Sequence, residues 1–241
     1  MAKYNWSFLK MSHSDPLVLS YGREDYLRSS PEKCLKSVLS GESLKAMVSL
    51  VSYIENVDRL KMIDGPLISF RNQSVSTLLI SKDRYLSNDL EIAISGDTRT
   101  TEFYMERVLE AMGVRFNVKR STGIEASDLL DESPYALVIG DEALKVYRSR
   151  YRILLDIGYE FSRIFQMIPV YAVSTALSDS TVNSEDFFLK TDQFRSKCTY
   201  DLSDRLGISG MIVSRYYSNL SYLPSKSTKA TIDFVLSFFR Q

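Results

Sequence analysis

A single histidine, His13, and two cysteines, Cys34 and Cys198, are the whole stock of imidazole and thiol in this chain of 241 residues. One histidine excludes any multi-histidine metal site, and any histidine-based triad that does not use His13. The cysteines have neither metal-ligand spacing nor the density of a secreted disulfide scaffold, so each reads as a small apolar residue near a helix. Net charge is also lacking, because 30 Lys and Arg balance 30 Asp and Glu. No global field is left to recruit nucleic acid or an anionic membrane, although local cations still suit a small anionic ligand. The densest basic run, Arg148-Ser149-Arg150-Tyr151-Arg152, has no aromatic RNA motif beside it and reads as a solvated helix end and loop. Long hydrophobic runs are missing too: Tyr135 to Ile139 and Phe234 to Phe239 are far too short to span a bilayer. Met1 to Lys10 shows no apolar signal core and no small-residue cleavage site, so the expectation is a soluble, cytoplasmic protein.

What the chain does have is ordinary globular material, 44% hydrophobic and 25% charged, enough for a sizeable core. Trp6 to Met11 reads as a first strand running into the polar turn Ser12-His13-Ser14-Asp15-Pro16. Ser30-Pro31-Glu32 opens a helix with Leu35, Val38 and Leu39 on one face, ended by Ser40-Gly41. Leu44 to Leu50 passes from a strand into a short helix, and Leu67 to Phe70 and Ser76 to Ser81 form two strands about the turn Arg71-Asn72-Gln73-Ser74. From residue 83 strands and helices alternate: 92–94, 114–118, 136–139 and 169–173 as strands, with helices after them and over 157–166. Beyond Thr175 almost only helix is expected, around Phe187 to Phe194, Met211 to Leu220 and Ile232 to Phe239.

The most informative stretch is Ile94-Ser95-Gly96-Asp97-Thr98-Arg99-Thr100-Thr101-Glu102-Phe103. An apolar strand reaches a glycine, and Met105, Val108, Leu109 and Met112 then recur at helical spacing up to Gly113. Asp97, Thr98, Thr100 and Thr101 can cap the first-turn N–H groups; those groups, with the helix dipole, can instead hold a ligand carboxylate or phosphate. Asp97 is expected to turn away and cap, and Arg99 to face solvent or pair with Glu102.

Strand and helix alternation implies open parallel or mixed sheets. A helical tail after it suggests a two-lobed α/β protein. Residues 1–81 and 175–241 make one discontinuous lobe and 82–174 the other, with Ser76–Lys82 and Val170–Thr175 as the strands on which the chain crosses. The turns at 12–15, 96–101 and 140–141 are strand ends, where open α/β sheets bind ligands, and a cleft between lobes would gather them.

Several of these segments, in this order, resemble the chorismate dehydratase family of menaquinone biosynthesis by the futalosine pathway. Asp97-Thr98-Arg99-Thr100-Thr101 is similar to that family's Ser-Ser-Arg-Thr-Ser turn, with Asp97 where a serine is usual. Ala136-Leu137-Val138-Ile139-Gly140-Asp141-Glu142-Ala143-Leu144 resembles its Ala-Leu-Leu-Ile-Gly-Asp-x-Ala-Leu. Leu155-Asp156-Ile157-Gly158, Ile168-Pro169-Val170-Tyr171-Ala172-Val173 and Ser76-Thr77-Leu78-Leu79-Ile80-Ser81 have counterparts as well. Aligned on Pro16-Leu17, His13 takes the place of the family's substrate-facing asparagine. The resemblance runs from about residue 30 to the C-terminus and implies a type-2 periplasmic-binding-protein-like fold with two inter-lobe crossing strands and a helical C-terminal segment.

It also implies loss of water from chorismate to give 3-[(1-carboxyvinyl)oxy]benzoate, with no metal or redox cofactor, a substrate carboxylate helping to remove the proton. Thr98, Thr100 and Thr101 would then hold one carboxylate and Ser76 would add a hydroxyl. His13 would donate a hydrogen bond or act as acid to the leaving hydroxyl, with Ser12 beside it. Gly140 would allow close backbone approach, Asp141 would cap its helix or border the site, and Lys10 and Arg71 would be the cations for a doubly anionic substrate. Two alternatives stay open: the sister 1,4-dihydroxy-6-naphthoate synthase, and a non-catalytic protein that binds a small carboxylate. A chorismate-like anion is the expected partner, with no nucleic acid and no membrane; oligomeric state is open.

Overall fold

A computed structural model of the chain describes residues 2–96 and 98–239. In chain order the elements are β1 (Tyr4–Leu9), α1 (Asp15–Tyr21), β2 (Tyr26–Ser29), α2 (Pro31–Leu39), β3 (Ser43–Ser49), α3 (Leu50–Ile54) and β4 (Leu60–Phe70). There follow β5 (Thr77–Ser81), β6 (Asp89–Ser95), α4 (Arg99–Ala111), β7 (Arg115–Ser121), α5 (Ala126–Glu132), β8 (Tyr135–Ile139), α6 (Gly140–Val146), β9 (Arg152–Asp156) and α7 (Ile157–Phe165). The chain ends in β10 (Val170–Leu177), α8 (Arg195–Leu206), α9 (Gly210–Asn219), β11 (Leu220–Ser221) and α10 (Lys226–Ser237), with 3-10 turns at Ser12–Ser14 and Phe187–Phe194.

These elements sort into two compact units. The first holds residues 1–69, 169–198 and 220–241; the second holds 70–168 and 199–219. The chain therefore passes between units four times, at 69/70, 168/169, 198/199 and 219/220. The strands β5 and β10 are the first after the first two passages. Each inserts antiparallel between neighbours of its new sheet. Sequence alone draws the boundaries later, at 81/82 and 174/175, because a buried apolar strand does not reveal which sheet it pairs with. The helical residues 199–219 lie with the second unit, where the sequence reading has them in the first.

In the first unit the sheet order is β11-β4-β10-β3-β1-β2, with β1 parallel to β2 and β3. The apolar face of α2 covers this sheet, Val38 meeting Ala46, Val48 and Leu60. On the same sheet Trp6 and Phe8 stack at 5.5 Å, and Tyr21, Tyr26 and Phe187 meet Phe8 edge-on. Ser30 caps α2 from Pro31 onward, accepting from Lys33 N. The turn expected at Ser12 to Pro16 runs straight into α1, because Pro16 sits in the first helical turn, where its missing N–H costs nothing. Both cysteines are buried on helices, Cys34 on α2 and Cys198 on α8. Burial pushes the Cys34 thiol up to about 12, and its S–H donates to Phe8 O at 3.3 Å.

In the second unit the order is β7-β6-β8-β5-β9, with β6 parallel to both β7 and β8. Leu78, Ile80, Ala93, Ala136 and Val138 pack under Leu129 and Leu130 of α5 and under Ala143 and Val146 of α6. After α4 the chain turns at Gly113, whose φ of 71° suits a residue without a Cβ, and Val114 N closes the turn on Leu109 O at 2.9 Å. The aromatic residues 187–194 form a 3-10 turn rather than an α-helix. Among the described residues, no helix is long and apolar enough to cross a membrane.

Candidate functional site

Parallel pairing brings the ends of β6 and β8 to one edge of the second sheet, since Ile94 lies opposite Leu137. Antiparallel pairing brings the start of β5 and the end of β9 to the same edge, with Thr77 opposite Ile139 and Leu78 opposite Asp156. The second unit's candidate residues are therefore gathered at the carboxyl edge of its parallel strands, the edge that open α/β sheets use for ligands.

On this edge Thr98, Thr100 and Thr101 start α4, and all three are buried. The Thr98 hydroxyl does not cap the helix. It turns back and donates to Ser95 O at 2.7 Å, closing the loop that leaves β6. The cap expected from Asp97 lies outside the described residues. Arg99 is exposed, and Glu102 pairs with Arg120, accepting from Nη1 at 2.8 Å and Nη2 at 2.6 Å. This bidentate pair ties the first turn of α4 to β7.

Ser76 is buried just before β5, and its carbonyl accepts from Gly140 N at 2.8 Å. Gly140 has φ 59°, which lets β8 pass into α6 without a connecting loop. Asp141 receives a hydrogen bond from Arg205 of α8 at 3.2 Å, so its carboxylate braces α6 against the C-terminal helices. Arg71 is exposed, with its N–H donated to Asn219 O at 2.9 Å.

A group missed from sequence lies beside Ser76. Asp156 Oδ1 accepts from Ser74 Oγ at 2.7 Å, from Ser74 N at 3.3 Å and from Tyr159 N at 3.1 Å, while Oδ2 accepts from Val75 N at 2.8 Å. Burial pushes this carboxyl above the ordinary aspartate range, against the pull of the Val75, Ser74 and Tyr159 donors. Its sequence signals are its place in Leu155-Asp156-Ile157-Gly158 and an acidic residue directly before a helix, a cap position.

In the first unit, the 3-10 turn Ser12–Ser14 follows β1 at the edge where β1 ends, and Ser12 and His13 are both buried in it. The buried Tyr222 donates its hydroxyl to His13 O at 2.7 Å. Met11 O accepts from Ser14 N at 2.9 Å and from Arg28 Nη2 at 3.2 Å, and Arg28 also pairs with Asp15. The turn is thus held by its carbonyls. Lys10 is exposed, with its N–H on Ser29 O at 2.7 Å. Neither Tyr222 nor Arg28 carries a local motif that would reveal this role.

Among solved structures, the periplasmic aliphatic sulphonate binding protein SsuA of Escherichia coli superposes with a TM-score of 0.69 at 10% identity, over 98% of this chain and 86% of that one. Protein AF1704 of Archaeoglobus fulgidus gives 0.68 at 13% identity, over 98% and 97%. A Candida albicans protein described as having the generic periplasmic binding protein fold, CA3427, gives 0.65 at 12%, over 99% and 90%. At such identities these likenesses show the fold alone, a periplasmic-binding-protein-like α/β architecture of two sheets. Among curated proteins, none matches the chain. The family model described as menaquinone biosynthesis matches residues 12–224, from the Ser12 turn to the segment before α10, and this chain belongs to that family.

Proposed function

We propose that the chain is a chorismate dehydratase-like lyase, which removes water from chorismate to give 3-[(1-carboxyvinyl)oxy]benzoate in the futalosine route to menaquinone. The observation that carries this reading is the family match over residues 12–224. The ordered motifs at 76–81, 97–101 and 136–144 support the dehydratase in particular.

The reaction needs little from the protein beyond placement. A C–H bond breaks at the carbon bearing the enolpyruvyl ether, the neighbouring carbon loses its hydroxyl, and the ring becomes aromatic as water departs. Aromatisation supplies the driving force, so fixing the carboxylates and assisting the leaving hydroxyl account for the catalysis required. In this reading Thr98, Thr100 and Thr101 seat one carboxylate at the start of α4. Ser76 adds a hydroxyl from the same sheet edge, and Gly140 lets substrate come close to the backbone. Asp141 keeps α6 in place. His13, with Ser12 beside it, donates to the substrate or protonates the leaving hydroxyl, and Lys10 and Arg71 supply positive charge. No cofactor is invoked, and the reaction is assigned to the cytoplasm.

Incubating purified protein with chorismate and following the aromatic product by liquid chromatography and mass spectrometry tests this. The enolpyruvyl benzoate is the expected product; none at enzyme equimolar with chorismate overturns the proposal. Cleavage of a cyclic futalosine derivative to dihydroxynaphthoate in a parallel reaction would instead identify the sister enzyme. Binding of chorismate without turnover would identify a carboxylate-binding protein.

A further inference from the structure

Val75 has a backbone conformation that a β-branched residue rarely takes. Its φ is 62° and its side chain is buried, so the position is strained and must be held by its surroundings. What holds it is the first turn of α7. The Val75 N–H reaches Asp156 Oδ2 at 2.8 Å, and Ser74 on one side gives the same carboxylate both its N–H and its hydroxyl. Two residues later Thr77 returns to the same place. Its N–H donates to Ser74 Oγ at 3.1 Å, its hydroxyl lies 2.5 Å from Ser74 Oγ, and it accepts from Gly158 N at 3.3 Å.

A simple helix cap needs only Tyr159 N. Asp156 takes that donor and also three from a turn 81 and 82 residues earlier in sequence. Ser76 lies inside the pinned turn, and its carbonyl in turn holds Gly140 N. The body of α7 packs on α4, with the Phe161 and Tyr104 rings 4.3 Å apart and both fully buried. The turn bearing Ser76 and the helix bearing Thr98, Thr100 and Thr101 are therefore both referenced to one element.

We infer that Asp156 is the positioning residue of the second unit: it fixes the strained 74–77 turn on α7 and so sets where the Ser76 hydroxyl and the Gly140 turn stand for the substrate. This rests on the proposed role of Ser76 and Gly140 in substrate binding. The signature of such a residue is a change in KM with kcat largely kept, and rescue by relieving the strain that the carboxylate holds.

The test is steady-state kinetics on the full chain with chorismate. Asp156→Asn turns an amide N–H₂ toward N–H donors and raises KM roughly tenfold, while kcat changes less than about threefold. Adding Val75→Gly, for which this φ is unstrained, returns KM to within about threefold of the parent. A purely stabilising role for Asp156 gives no such recovery, since glycine loosens the chain further. Ser74→Ala keeps the carboxylate and raises KM about threefold; it carries the test alone if Asp156→Asn does not fold, and an unchanged KM there overturns the inference. A folded Asp156→Asn with KM within about twofold of the parent, or a raised KM that Val75→Gly leaves unmoved, overturns it as well. If the parent neither binds nor converts chorismate, the failure belongs to the proposed function. Amide hydrogen exchange then decides the positioning role: faster exchange at Val75 and Gly140 in Asp156→Asn supports it, and unchanged rates overturn it.

Discussion

In each unit, among the described residues, a carboxylate gathers donors from distant parts of the chain, and the two are built differently. In the first unit Glu185 accepts from the buried Lys45 Nζ at 2.5 Å, and from Asn5 Nδ2 and Trp6 Nε1 at 3.0 Å each. Burial works to raise its carboxyl, but these three donors outweigh it and hold the group below the ordinary glutamate range. In the second unit Asp156 has hydroxyl and backbone donors and no cation among its hydrogen-bond partners, and there burial prevails. A formal counter-charge makes Glu185 a bolt through the scaffold, joining residue 185 to β1 and β3. Dipoles alone leave Asp156 a group whose environment disfavours its charge.

The contrast can be broken most forcibly at Glu185. Replacing it with Gln leaves the buried Lys45 ammonium without its counter-charge, beside Asn183 O at 3.4 Å and the Trp6 ring at 5.3 Å. We expect a loss of about 3 kcal/mol by urea denaturation. The double replacement Lys45→Met with Glu185→Gln removes both charges while keeping an acceptor for Asn5 and Trp6, and stays within about 1 kcal/mol of the parent. If the double variant is the less stable, the pair is a net stabiliser and the bolt is stronger than described. Asp156→Asn should cost less, about 2 kcal/mol by the same measurement, because no opposite charge is stranded. A larger loss than at Glu185 reverses the comparison.

The sign of pH dependence sharpens it further. Asp156 is raised above 3.8, so its contribution to stability is full below that value and is lost as pH rises through its folded value. Glu185 is lowered below 4.5, so its contribution is present above that value and is lost as pH falls through its folded value. Melting temperatures measured from about pH 3 to 6 should therefore show Asp156→Asn approaching the parent as pH rises, and Glu185→Gln approaching it as pH falls. Slopes of one sign for both variants refute the distinction. The smallest effect is expected at Thr98, where Val replaces a buried hydroxyl bonded to Ser95 O and costs about 1 kcal/mol in a thermal melt.

The parts legible in the sequence were those written in local pattern. The passages from β6 to α4 and from β8 to α6 each show an apolar run, a glycine or hydroxyl break and a helical period, and both stand at the same sheet edge. Other elements carried no such pattern. The strand β2 is only half-buried throughout, and β9 begins within a basic run that reads as loop, where Arg152 lies over the Tyr85 ring at 3.9 Å. In α8 the buried residues Cys198, Leu202 and Leu206 recur at i, i+4 and i+8 amid polar neighbours, too thin a stripe to announce a helix. Of the candidate site, Thr98, Thr100, Thr101, Ser76 and Gly140 were legible as strand-end residues. Asp156 was not, because what distinguishes it from any helix cap is a turn 81 residues away.

Discontinuity has a consequence for synthesis. β10 lies between β3 and β4, so before residue 177 has emerged from the ribosome the first sheet lacks its middle and falls into the separate pieces β3-β1-β2 and β4. The second sheet needs nothing beyond Asp156 and can close first, from a nascent chain whose N-terminal third is still waiting for its partner strand. Vectorial folding thus runs from the inside of the chain outward, and the edges open to misassembly during that wait are those of β3 and β4, on which β10 will pair.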